Sequence, residues 1–222
     1  MDRSLRERLT ELYRRLLRVY GPQNWWPIDP EYHRRHGSDP REEIVIGAIL
    51  TQNTSWRNAE RAIENLKRAG ALSLKGVREL PAERLGELVK PAGFFRRKVA
   101  YLREVAQKLD PIDVVEKIDR EQLFRIRGIG RETADVILLY AGGRPFFVVD
   151  SYTKRIVFRT FGVKGGYEEL RRWFEGNLPP DVELYREFHA LLDEHAKRRC
   201  LRNPLCGGCP VEELCGFPSG NP

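Results

Sequence analysis

Long apolar runs are missing from this 222-residue chain, and cysteine is missing from most of it. Met1 to Tyr20 is studded with Arg and Glu, so it reads as neither a signal peptide nor a membrane anchor, and a cytoplasmic location is expected. All four cysteines lie between positions 200 and 215. A disulfide framework spreads its cysteines over the fold it staples, so this cluster points to a metal instead. Sustained polar/apolar alternation, tandem repeats and low-complexity tracts are absent too, which argues against a mainly β fold. Acidic residues are outnumbered, 32 Asp plus Glu against 39 Lys plus Arg, and the formal charge of +7 favours a polyanionic partner such as nucleic acid. The length suffices for one large domain or two small lobes sharing a cleft.

What is present is helical periodicity. Leu5, Leu9, Leu12, Tyr13, Leu16, Val19 and Tyr20 recur on one face of a helix that Gly21-Pro22 stops. A loop with Trp25-Trp26-Pro27 follows. Glu43 to Leu50 is apolar enough for a strand, but Ala59, Ile63 and Leu66 continue in helical period, so buried helix, loop, helix is the expectation. Leu85, Leu88 and Val89 lead into Pro91-Ala92-Gly93. Val99, Leu102, Val105, Ala106 and Leu109 then form an amphipathic segment ended by Asp110-Pro111. Only Phe146 to Val149 looks strand-like, and a last helix runs through Leu184 to Lys197.

Leu123 to Ala134 reads as a short helix, a tight turn at Gly128-Ile129-Gly130, and a second helix through Tyr140. Glycines let the backbone approach a ligand closely and present amides at a helix N-terminus, where phosphate is favoured. Arg127 and Arg131 add positive charge there. Ile126 and Ile129 would anchor the turn, and Ala134 would let the two helices pack closely. An ordinary helical corner explains Gly-Ile-Gly equally well. Phe146-Phe147-Val148-Val149 ends in Asp150, whose commonest role at such a place is a helix N-cap. Cys200, Cys206, Cys209 and Cys215 are spaced C-x5-C-x2-C-x5-C among Pro204, Gly207, Gly208 and Pro210. Four thiolates suit zinc or a [4Fe–4S] cluster, and the spacing leaves both open.

The hairpin followed by an aspartate closing an apolar run resembles the helix-hairpin-helix DNA glycosylase superfamily. That resemblance implies an all-α fold of two helical lobes, the hairpin gripping DNA phosphates and Asp150 as the catalytic carboxylate. It divides the chain into a discontinuous terminal lobe (1–30 and 111–222) and a helical lobe (31–110), with the hairpin at about 121–140 bordering a cleft. The C-terminal cysteines resemble those of the endonuclease III branch, which implies a [4Fe–4S] cluster; the first gap is five residues where that branch commonly has six.

Further resemblance places Gln52, in Leu50-Thr51-Gln52-Asn53-Thr54, as the side chain that fills the gap left by an everted base. Lyase members carry a lysine two residues after the second hairpin glycine; here Glu132 stands there. A carboxylate forms no Schiff base, so a monofunctional, water-using enzyme is implied. Lys154 is the nearest other amine.

Trp25-Trp26-Pro27, Gly47 to Thr54, Lys90-Pro91-Ala92-Gly93-Phe94-Phe95 and Gly128 to Asp135 are together similar to the bacterial 3-methyladenine DNA glycosylase III branch. There, aromatics matching Trp25 and Trp56 sandwich the excised base. Trp25, Trp26, Trp56 and Glu132 are thus the expected base pocket, and Gln52, Arg127, Gly128, Gly130 and Arg131 the expected DNA contacts. A cationic alkylated purine gains from aromatic faces by roughly 0.5–2 kcal/mol. The expected activity is excision of 3-methyladenine, with 7-methylguanine second, from double-stranded DNA by a monomer. An endonuclease III-like lyase for oxidised pyrimidines and a non-catalytic damage binder are the alternatives.

Overall fold

The computed structural model describes residues 4–217. Among these, twelve α-helices follow one another along the chain: α1 Leu5–Tyr20, α2 Pro30–His36, α3 Pro40–Leu50, α4 Trp56–Arg68, α5 Leu74–Glu79, α6 Ala82–Val89, α7 Phe95–Leu109, α8 Arg120–Phe124, α9 Arg131–Val136, α10 Ser151–Phe161, α11 Tyr167–Asn177 and α12 Val182–Arg198. No strand occurs among the described residues, and no helix there is long and apolar enough to cross a membrane.

The chain forms two compact units, Met1–Trp25 with Pro145–Pro222, and Trp26–Arg144. The discontinuous arrangement read from the sequence therefore has different bounds: residues 26–30 and 111–144, hairpin included, belong with the internal unit. The reason is packing. Arg120 of α8 and the segment after α9 are buried against internal-unit partners, and the π-helical turn Ile137–Ala141 packs along α3.

In the terminal unit, α1 starts at a capping box between Ser4 and Glu7 and stops at Gly21, whose φ of +70° suits glycine. Its Leu9, Leu12 and Leu16 are fully buried and pack toward α12. The expected strand at Phe146–Val149 is not one. It is an extended segment threaded through an aromatic core, with Phe147 stacked on Phe174 at 3.9 Å and edge-on to Tyr185 and Phe188. The Phe147 amide donates to Glu175 Oε1 at 3.0 Å, so a side chain supplies the acceptor that a neighbouring strand would have given. Burying Phe147 alone is worth about 1.5–3 kcal/mol.

In the internal unit, α3 is buried from Glu43 to Leu50 and begins at Asp39 with Pro40 in its first turn. That settles the helix-or-strand ambiguity of this apolar run in favour of helix. Glu43 is buried because His33 Nε2 and Lys67 Nζ meet it at 3.1 and 3.2 Å. Helix α4 buries Ala59, Ala62, Ile63 and Leu66 on one face.

Candidate functional site

The hairpin is built as its sequence suggests, with Ile126, Ile129 and Ala134 buried. Its two helices are also tied by a pair the sequence did not announce. Arg120 on α8 donates to both carboxylate oxygens of Asp135 on α9, at 2.5 and 2.9 Å, and both residues are buried. Of the two glycines only Gly128 needs to be one. Its φ is +96°, and a Cβ there would fall 2.3 Å from the Tyr101 ring, whereas Gly130 has an ordinary φ of −93° and open space. Arg127, Gly130, Arg131 and Glu132 are exposed. Beyond α9, Gly142 N–H reaches back five residues to Ile137 O at 2.9 Å, closing the π-helical turn that carries Tyr140.

Beside the hairpin lies a groove of about 460 Å³ lined by Gln52, Asn53, Phe94, Arg97, Lys98, Tyr101, the hairpin glycines, Glu132 and Thr133. Gln52 is half-buried and donates through Nε2 to Gly128 O at 2.7 Å and to Thr133 Oγ1 at 3.0 Å. Here the side chain expected to fill a DNA gap is docked on the hairpin and braces it. Two exposed residues beside it were overlooked in the sequence. Asn53 has a φ of +51°, and Phe94 has a φ of +45° and is 63 % exposed, with the Arg97 guanidinium 6.0 Å from its ring centre. A large apolar side chain held outward on left-handed backbone needs a reason. Gly93 followed by two phenylalanines was the available signal.

Under the same groove sits Lys98, only 2 % exposed. Its Nζ donates to Leu50 O and Ala92 O, both at 2.7 Å. Burial pushes its pKa down from 10.5 to about 8.

The tryptophans divide. Trp26 lies edge-on to Trp56 and to Tyr140, each at 5.7 Å, and it rests on Gly47, where a Cβ would come within 2.8 Å of its ring. This is packing inside the internal unit. Trp25 belongs to the terminal unit, where Lys197 Nζ stands 5.9 Å from its ring centre.

Also in the terminal unit, Asp150 caps α10, its Oδ1 accepting from Thr153 N–H at 2.7 Å. Its second oxygen takes no hydrogen bond among the described residues. On α12, Asp193 is paired with Lys197, yet its pKa is raised, by burial first and least by the nearby Asp150. Lys154 extends toward the Tyr167 ring at 5.9 Å.

The four cysteines are half-buried and none is in a disulfide. Among the described residues no three metal-binding side chains are drawn together tightly enough to hold an ion as they stand. Cys209 nevertheless lies within electrostatic range of the other three thiols, and Cys215 of Cys200 and Cys206. Burial raises the pKa of Cys209 and Cys215, while the amides of Val211 and Phe217 point at their sulfurs and pull the other way. Arg159 donates to Cys200 Sγ at 3.2 Å and to the carbonyls of Leu201 and Arg202. Amide and guanidinium donors converging on thiols suit thiolates that share a metal or cluster, so the donor set fits such a group. Behind them His195 is fully buried, with Nδ1 2.9 Å from Tyr20 Oη and Nε2 3.8 Å from Cys209 Sγ, and desolvation lowers its pKa to about 4.

Similar proteins are known. A Methanocaldococcus jannaschii protein provisionally named a DNA repair glycosylase is 43 % identical over 94 % of this chain and 96 % of its own length. The thymine-DNA glycosylase of Aeropyrum pernix is 28 % identical over 96 % of this chain and 93 % of its own. Among solved structures, a non-covalent endonuclease III–DNA complex matches the fold with a TM-score of 0.76 at 18 % identity, covering 96 % of each chain. The family model for HhH-GPD superfamily base excision DNA repair proteins matches residues 46–180, spanning groove, hairpin and Asp150. The chain belongs to the HhH-GPD superfamily of base excision DNA repair proteins.

Proposed function

We propose that this glycosylase is monofunctional: it binds double-stranded DNA containing a damaged base, everts that base and releases it by hydrolysis assisted by Asp150, without cutting the strand. The observation that carries the reading is Glu132, exposed on the groove where lyases of the superfamily place a lysine. A carboxylate cannot form the imine through which an amine cleaves the strand. Lys154, the other candidate amine, is directed at Tyr167. Asp150 offers one oxygen to its helix and one to the reaction, where a carboxylate stabilises the cationic sugar or orients water. The hairpin amides with Arg127 and Arg131 hold phosphate, and Phe94 with Asn53 and Gln52 form the edge that fills the vacated stack.

Cys200, Cys206, Cys209 and Cys215 would hold a [4Fe–4S] cluster. When bound it orders the loop bearing Arg199 and Arg202, and in this reading it takes no part in the hydrolysis.

Alkylated purines, 3-methyladenine first, are the substrate class of this reading, since an aromatic face such as that of Trp25 attracts a cationic base. A second reading is favoured by Lys197. Lys197, held by Asp193, already takes the cation position 5.9 Å from the Trp25 ring centre, which leaves that face to a neutral base such as thymine or uracil, the first in line with the name of the Aeropyrum relative. Base release from duplexes carrying 3-methyladenine, 7-methylguanine, uracil, mismatched thymine or thymine glycol separates these readings. Release of methylated purines alone supports the first, release of uracil or thymine supports the second, and release of thymine glycol with strand scission defeats both.

A further inference from the structure

The buried lysine beneath the groove has no part in the chemistry just described, yet its position is specific. Leu50 ends α3 and Ala92 ends the 3-10 turn Lys90–Ala92, so each carbonyl lies where a helix runs out of internal partners. Each also lies two residues before an edge side chain: Gln52 follows Leu50, and Phe94 follows Ala92. One ammonium bonds both carbonyls at 2.7 Å. Burying an ammonium is costly unless its hydrogen bonds are made. Capping alone does not demand a charge: α6 ends nearby with Leu88 O accepting from the neutral Asn65 amide at 2.9 Å. What the ammonium adds is strong, charge-assisted hydrogen bonds to two loops from one centre.

Resting on the base-everting reading above, we infer that Lys98 is a positioning residue for DNA probing: its ammonium locks the Gln52–Asn53 loop to the Phe94 loop, so that both enter the duplex as one rigid edge. Gln52 extends the brace by bonding Gly128 O and Thr133 Oγ1, which joins the edge to the phosphate-binding hairpin. Preorganisation of this kind lowers the cost of ordering the loops on binding. Without it the loops would be ordered only on DNA, and insertion would slow while phosphate contacts persist.

The test uses the full-length protein and a duplex with a tetrahydrofuran abasic analogue beside a 2-aminopurine, whose fluorescence reports insertion without depending on which lesion is processed. Lys98→Met is expected to slow insertion at least tenfold while leaving affinity for undamaged duplex within about threefold. In a Phe94→Ala background the same substitution is expected to cost less than about threefold more, because the edge it positions is already gone. Equal, multiplicative losses in both backgrounds would mean general destabilisation and would overturn the inference. Should Lys98→Met fail to fold, Lys98→Gln takes its place; its amide keeps two donors, and insertion within about threefold of wild type is expected. A tenfold loss in Lys98→Gln that also multiplies with Phe94→Ala counts against the lock. If wild type binds the abasic duplex with no fluorescence change, the base-everting reading itself fails, an outcome distinct from a wild-type signal that Lys98 does not influence.

Discussion

The hairpin groove and the cysteine segment are both made of short, irregular pieces of chain, yet they are held in different ways. Around the groove the polypeptide supplies its own staples: Arg120 on Asp135, Gln52 on Gly128 and Thr133, and Lys98 on Leu50 and Ala92. From Cys200 to Phe217 the elements are turns and one three-residue 3-10 helix, and Arg159 gathers carbonyls and a sulfur while Cys215 Sγ bonds back to Arg159 O. The first region is organised by buried charge pairs and caps. The second converges its donors on sulfur, a donor set that would suit thiolates holding a metal group. The groove's staples all lie within the internal unit, and the cysteine segment belongs to the terminal one.

Asp150→Asn should reduce base release about 10³-fold, the scale expected for losing a catalytic carboxylate. Its stability should stay within about 1 kcal/mol because Asn caps helices nearly as well as Asp. Single-turnover kinetics beside thermal melts would reveal whether activity and stability separate; a parallel collapse of both would mean that Asp150 is only a cap.

Arg120→Ala should destabilise the internal unit by about 3–5 kcal/mol, since it leaves the Asp135 charge buried alone. Cys209→Ser should open the segment after Cys200 to protease while duplex affinity holds. If Cys209→Ser abolishes duplex affinity, the two regions are not independent.

Within the hairpin, Gly128→Ala should cost about 2–4 kcal/mol, combining left-handed backbone with the collision against Tyr101. Gly130→Ala should stay within about 0.5 kcal/mol, having neither. Denaturant titration of both variants would show the asymmetry, and equal losses would contradict a turn in which only the first glycine is constrained.

The smallest effect concerns pH. The folded pKa of Lys98 is lowered from 10.5 to about 8, so between those values the unfolded chain binds the extra proton. Stability contributed by this group therefore rises as pH climbs through that window. The stability of wild type relative to Lys98→Met should increase from pH 8 to pH 10.5, and a flat difference would mean that the burial is not sensed.

Much of the fold was legible in the sequence because amphipathic periodicity and glycine punctuation are local signals. Leu5 to Tyr20, the two helices around Thr51–Ser55, and the hairpin all formed as read. The cysteine spacing was also local. Other features depend on residues distant in sequence. Nothing near Arg120 announces Asp135, nothing near Lys98 announces Leu50, and an apolar run such as Phe146–Val149 looks like a strand until Phe174 and Tyr185 surround it. The surroundings of the tryptophans are non-local in the same way. Adjacent Trp25 and Trp26 look alike in sequence, but one sits by Lys197 in the terminal unit and the other is packed on Gly47 in the internal one. Phe94 escaped notice because exposure and positive φ are not written in residue type.

The central claim, base release without strand cleavage, is tested most directly by incubating wild-type protein with lesion-bearing duplex and assaying free base and strand scission in the same samples, with and without borohydride. Free base, a strand that breaks only after alkali, and no borohydride-trapped complex are expected. Strand scission in step with base release, together with efficient covalent trapping, would contradict it.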